Sequence, residues 1–301
     1  MVDNIFHIKI NPDGTQTAAK SVLQPGVPGS WDDHHTCDPS VIEGNFTWKN
    51  TTYKYAMFFL SNMYGVYYNE IGVAFSNDLD TDSWVKYPQQ IVKKTWSSEG
   101  DQEIGGSGKS WGVGQPSVVS LDGKGKLLLT YTVGDIGGTR IVWTEADFSN
   151  MDTYSISTPQ TIVQTGLKAI DNQSRDYTCN SEFAIDKDAD KIVMIRPVQP
   201  MPNDYPNYLN SSLEIDYMNL SDFTNQRGNW TPIYRITPDD TGYPRNHNAT
   251  LLRDNFGHLQ DWEEPEFYFT VSKAAPDVQP SGSSHAEWTY HIWKSKVVKS
   301  K

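Results

Sequence analysis

One strand–turn–strand pattern returns along the chain, and that return limits the fold more than any other feature. The openings read "DPSVIEG" from Asp38, "QPSVVSLDGKGKLLLTYTVGD" from Gln115, "NSEFAIDKDADKIVMIRP" from Asn180 and "NHNATLLRDNFG" from Asn246. Each begins as a short apolar strand, passes a polar turn and usually continues as a second strand. "LDGKGK", flanked by β-formers, is a hairpin turn. Third strands follow as "IGVAFSN", "TRIVWTEA" and "SLEIDYMN". A second element closes the units: "SNDLDTDSWVKYPQQIV", "ADFSNMDTYSISTPQTIV" and "LSDFTNQRGNWTPIYRI" share an Asp followed by Leu or Phe, a polar turn, an aromatic and a β-rich tail. Units of about four antiparallel strands, returning after roughly 70 residues with little helical periodicity, describe the blades of a β-propeller. Four opening strands are legible. The last unit runs on through "EFYFTVSK" and "EWTYHIWKSKVV", and the N-terminal "NIFHIKINPDGTQTAAKSVL" supplies strands expected to complete the last blade. All 301 residues are read as one all-β propeller domain.

Composition narrows the partners. A net charge of −12 argues against nucleic acid and anionic membrane surfaces, whose phosphates require clustered Lys and Arg. No apolar run is long enough for a membrane-spanning helix. The first residues lack the charged-then-apolar pattern of a signal peptide, so the chain reads as cytoplasmic or as a mature form with its signal removed. Seven Asn-x-Ser/Thr triplets, at Asn45, Asn50, Asn172, Asn210, Asn219, Asn229 and Asn248, lean toward a secreted or extracytoplasmic protein. Ten Trp and sixteen Tyr suit strands, and they also suit surfaces that stack on sugar rings. The expected partner is a neutral carbohydrate, bound by a monomer.

The Asp-Pro strand opening, "IGVAFSNDLDTDSWVKY" and "GQPSVVSLDGKGKLLLTYT" together resemble the five-bladed β-propeller glycoside hydrolases. These are the arabinanase and β-xylosidase group (family 43), with invertases and levansucrases as distant relatives. The resemblance implies a five-bladed ring whose opening strands line a central channel, and a glycosidase that cleaves arabinose- or xylose-containing poly- or oligosaccharides. Glycoside cleavage needs one carboxylate as base or nucleophile and one carboxylic acid to protonate the leaving oxygen. Asp38 matches the family's first-blade Asp-Pro carboxylate, the base of the arabinanases. The alternative for it is a strand-turn cap. Glu182, inside an otherwise apolar strand, is the candidate acid, because a buried Glu must face something polar. The family's third carboxylate tunes the acid. Gln115 stands where an Asp would be expected, and Asp176 is the substitute.

Aligning the units places Asp38, Gln115, Cys179 or Asn180, and His247 at comparable positions. Gln115 and Asn180 are therefore candidate substrate contacts. His247 resembles the last-blade histidine that lies near a bound ion or water in the arabinanases. No cofactor is required by this chemistry, but a structural Ca²⁺ or Na⁺ in the channel is an expectation, with His247 as its candidate ligand. In "GSWDDHHTCDPSVIEG" the residues before Asp38 read as an approach loop. Trp31, Asp33 and His35 are candidate substrate contacts there, and Asp32 and His34 are near them. Zinc on the His pair and an Asp lacks the usual ligand spacing. Trp96 and Trp111, with Trp31, lie in loops suited to sugar platforms. Cys37 and Cys179 fall at equivalent places, as a disulfide between two opening strands or as two thiols. A non-catalytic carbohydrate-binding propeller and a propeller scaffold are the competing functions.

Overall fold

The computed structural model describes every residue except 1–2, 67, 81–82, 95–110, 136–137, 173–175, 177, 200–208, 274–290 and 299–301. The chain divides into two compact units, Met1–Gln160 and Thr161–Lys301. Both are built from antiparallel meanders. Among the described residues no helix is long and apolar enough to cross a membrane.

The first unit starts with a two-stranded sheet, β1 (Ile5–His7) and β2 (Lys20–Leu23). Its first four-stranded meander is β3 (His35–Trp48), β4 (Thr51–Asn62), β5 (Glu70–Ser76) and β6 (Val85–Lys86). The second is β7 (Gly112–Ser120), β8 (Lys126–Asp135), β9 (Gly138–Asp147) and β10 (Ser155–Ile156), with β11 (Gln160–Thr161) also pairing to β9. The β7–β8 turn is the one expected: the Asp122 carboxylate accepts the Lys124 and Lys126 amides at 2.8 and 3.1 Å. Ile42, Phe46, Phe58, Phe75, Val118, Leu127, Leu129 and Phe148 form one buried cluster across both meanders. Each such side chain contributes about 1.5–3 kcal/mol on burial.

The N-terminal strands depart from expectation. β1 and β2 pair with each other, and among the described residues they join no other sheet. The reason is apolar contact: Ile5, Val22 and Leu23 are buried against Tyr55, Met57, Phe59 and Trp84 of the first meander. The Thr36 amide donates to the Asp3 carbonyl at 3.0 Å, fixing this segment beside β3.

The second unit holds a four-stranded meander of β12 (Glu182–Asp186), β13 (Lys191–Pro197), β14 (Leu213–Asn219) and β15 (Thr231–Ile236). A short helix, α1 (Leu220–Thr224), lies between β14 and β15, and α2 (Pro238–Thr241) follows β15. A three-stranded sheet of β16 (Arg245–Leu251), β17 (Glu266–Ser272) and β18 (His291–Lys296) completes the unit. Val193, Ile195, Leu213, Ile215, Leu251, Phe267, Phe269 and Val271 form its core. The described residues thus contain four blade-like sheets, and a fifth is not seen among them.

Three opening strands carry the same bulge, and a left-handed residue also precedes the fourth. In β3, Cys37 pairs with Leu60 and Ser40 with Phe58, so Asp38 and Pro39 together oppose one residue. In β7, Gly114 pairs with Thr132 and Ser117 with Thr130, leaving Gln115 and Pro116 as the extra pair. In β16, Asn248 and Ala249 take that place between His247 and Thr250. Asn180 stands two residues before β12. All four residues are left-handed, with φ of 49° at Asp38, 54° at Gln115, 44° at Asn180 and 47° at Asn248. Asp and Asn tolerate this region better than other residues with a Cβ. Pro at a bulge spares the ladder an unpaired amide.

Two residues beyond each of two bulges, a side chain ties its sheet to the next. Ser40 Oγ accepts the Val118 amide at 3.2 Å, three residues past Gln115. Glu182 Oε2 accepts the Leu251 amide at 2.6 Å, three residues past Asn248. Glu182 and Ser40 therefore occupy equivalent positions. Ser40→Ala removes the acceptor of a buried amide and should cost about 1–3 kcal/mol. Urea denaturation of the purified protein, comparing this variant with Ser40→Thr, measures it; a loss confined to the alanine variant is expected.

Candidate active site

Asp38 is displayed by its bulge with the side chain accessible to solvent. The protein mass around it still desolvates the carboxylate and raises its pKa to about 6. His35 opposes the shift and Asp3 adds to it. A carboxylate that gains a proton near pH 6 and reaches solvent is suited to accept a proton from water.

The residues around it have definite partners. The approach loop is shorter than expected, because β3 already begins at His35. His35 Nδ1 lies 3.3 Å from Asp3 Oδ2, and its ring stacks on His34 with centroids 5.2 Å apart. Asp33 accepts the Tyr64 and Gly29 amides, both at 2.6 Å. These bonds hold its carboxyl below the usual range and make it a loop tie. Asp32 is buried and paired with Lys86 at 2.5 Å. Trp31 stacks on Phe59 at 5.9 Å and lies so close to Gly72 that a Cβ there would meet the indole at 2.7 Å. Trp111 covers Gly134 in the same way, at 1.9 Å. Both Trp side chains are half-buried, packed on glycines that leave room for them. Trp96 lies outside the described residues. Gln115 is half-buried at the second bulge.

In the second unit, Asn180 Nδ2 donates to Asn248 Oδ1 at 2.9 Å. The left-handed residue in β16 is therefore Asn248, one residue after the expected His247. In the third sheet it is Asn180 and not Cys179. Among the four bulge positions only Asp38 carries an acid.

Glu182 is held by several donors. Besides the Leu251 amide, its carboxylate accepts the Thr250 hydroxyl and lies 3.0 Å from the Arg253 guanidinium. Asp176 is equally engaged: it is buried, paired with Arg196, and accepts the Gln199 amide at 3.1 Å. Arg196 also binds Glu214 Oε1 at 2.5 Å and Asp216 Oδ2 at 2.7 Å, while Glu214 Oε2 meets Arg235 at 2.6 Å. The register explains this cluster. Glu182 pairs with Ile195, so Arg196 stands where Phe59, Tyr131 and Phe269 lie opposite the other bulges. A guanidinium has replaced a buried aromatic, and three carboxylates neutralise it. Burial raises Asp216 to about 7 against the pull of Arg196, but Asp216 is sealed from solvent.

His247 is buried. Desolvation, reinforced by Arg245, lowers its pKa to about 4, against a hydrogen bond to Asn248. A hard cation such as Ca²⁺ takes oxygen ligands; among the described residues no trio of His, Cys, Asp or Glu ligand atoms gathers at His247. Cys37 and Cys179 are free thiols.

Three residues escaped the sequence reading. Asp3 reaches His35 from a distant segment. Asn248 was hidden by a one-residue offset. Glu70, opening β5, has its carboxyl raised by burial although Gln90 Nε2 binds it at 2.5 Å. Only the run "NHNAT" beside "CNSEF" carried a signal, for Asn248: an Asn two residues before a polar strand residue in both.

No protein-family model matches the chain, and no curated protein matches it. Solved structures do. An α-L-arabinofuranosidase from Lactobacillus brevis aligns with a TM-score of 0.58 at 9% identity, over 97% of this chain and 89% of that one. An exo-1,5-α-L-arabinanase from a bovine ruminal metagenomic library aligns at 0.56 and 14%, over 100% and 89%. A thermostable family-43 glycoside hydrolase aligns at 0.55 and 12%, over 90% and 74%. The fold is the β-propeller of these hydrolases. The propeller reading of the repeat and the resemblance in fold both agree with this likeness.

His247 also sets a pH dependence. Its folded pKa lies below the unfolded value, so the unfolded chain binds the extra proton between the two. Stability from the neutral imidazole is present above about pH 6.5 and is lost as pH falls toward 4. The full effect is on the order of 3 kcal/mol. Urea titrations at pH 7 and pH 4 should differ less in His247→Gln than in the wild-type chain.

Proposed function

We propose that the protein is a glycoside hydrolase for arabinose- or xylose-containing poly- or oligosaccharides, with Asp38 as the base that activates water. The observation that carries this reading is the Asp38 carboxylate itself: raised to about 6, open to solvent, and presented on the left-handed bulge that opens the first sheet. The propeller fold shared with an α-L-arabinofuranosidase and an exo-1,5-α-L-arabinanase supports this substrate class.

In this mechanism Asp38 takes a proton from water as the oxygen attacks the anomeric carbon. The glycosidic oxygen leaves with a proton from an acid. Glu182 and Asp176 are each paired with an arginine, and burial raises the Glu70 carboxyl, which favours its protonated form. A nitrophenyl leaving group departs without protonation, so it separates the base from the acid.

The amides at the other bulges favour a second reading, a propeller that binds the same sugars without cleaving them. Turnover of nitrophenyl α-L-arabinofuranoside and β-xyloside decides between the two. Asp38→Asn should lower kcat by roughly 10²–10⁴-fold, and wild-type activity should fall as pH drops below about 6. Sugar binding by calorimetry with no turnover of any glycoside would select the second reading.

A further inference from the structure

We propose that Asp3, His35 and Cys37 form a binding site for a divalent transition metal of the zinc class. The strand repeat puts His35 and Cys37 on the same face of β3, because side chains two apart point the same way. Asp3 arrives from the N-terminal segment, held in place by the Thr36 amide on its carbonyl. One carboxylate oxygen, one imidazole nitrogen and the thiol sulfur all lie within 4.8 Å of one another. The Asp3–His35 pair is already at 3.3 Å.

Bond lengths to zinc near 2.0–2.3 Å place tetrahedral ligands about 3.3–3.8 Å apart. Closing the remaining gap takes about 1 Å of side-chain movement by that measure. Asp3, whose side chain is half exposed, has the freedom to make it. Oxygen, nitrogen and sulfur donors together suit a borderline metal better than Ca²⁺ or Mg²⁺, which take oxygens. His34 Nδ1 and His35 Nε2 are buried and have no hydrogen-bond partner among the described residues, an arrangement that buried polar groups rarely keep. Three protein ligands leave the fourth tetrahedral position to a solvent oxygen. The site adjoins Asp38, whose carboxyl feels both His35 and Asp3, and it stands whether or not the chain cleaves sugars.

The test is titration of the chelator-treated full chain with Co²⁺ and then Zn²⁺. One equivalent of Co²⁺ should give a thiolate-to-cobalt charge-transfer band that Zn²⁺ abolishes, and Zn²⁺ should raise the Tm in a concentration-dependent way. The band should persist in Cys179→Ser, which removes the other cysteine, and vanish in Cys37→Ser. Asp3→Asn, at an accessible residue with little bearing on folding, should weaken Co²⁺ binding at least about 10-fold. Absence of the band in the wild-type chain, its survival in Cys37→Ser, or unchanged affinity in both Asp3→Asn and His35→Ala would overturn the proposal.

Discussion

The left-handed residue at the head of each blade-like sheet, set in a bulge in three of the four, is the constraint on which the rest depends. It lifts one side chain off the ladder and turns the following residues back into register. That turn sets which side chain reaches the neighbouring sheet. In the first unit a serine makes the tie, with a neutral hydroxyl on a buried amide. In the second a glutamate makes it, reinforced by a guanidinium and a hydroxyl. The same architectural task is done by chemically different groups.

The third sheet shows how one exchange propagates. Where the other sheets place an aromatic opposite the bulge, this one places Arg196, fully buried. An unpaired guanidinium there would be prohibitive, and Asp176, Glu214 and Asp216 surround it. Removing one partner strands the others, so the cluster behaves as a unit. Asp176 drew attention in the sequence because it was an acid near an opening strand. Its ion-pair partner Arg196 lies on β13, and that pairing is set by a register that sequence proximity does not report.

The sheet rhythm was legible because strands alternate with a period of two and because "DPSV" and "QPSV" repeat a proline at the bulge. Asp38 was legible for the same reason. The third and fourth bulges lack proline, and the alignment slipped by one residue at His247, which hid Asn248. Asp3 was illegible for a different reason. Its contact with His35 spans the whole N-terminal segment, and no spacing rule connects residues brought together by the packing of Ile5, Val22 and Leu23. The N-terminal strands were legible as strands, but their partners were not.

The bulge asks its first residue only to accept a left-handed backbone. Aspartate and asparagine meet that demand about equally, and their codons differ by one base. A single nucleotide change can therefore add or delete a carboxylate at this position while the backbone beneath it stays the same. A chain built this way can cross between cleaving a ligand and merely holding it without passing through an unfolded ancestor.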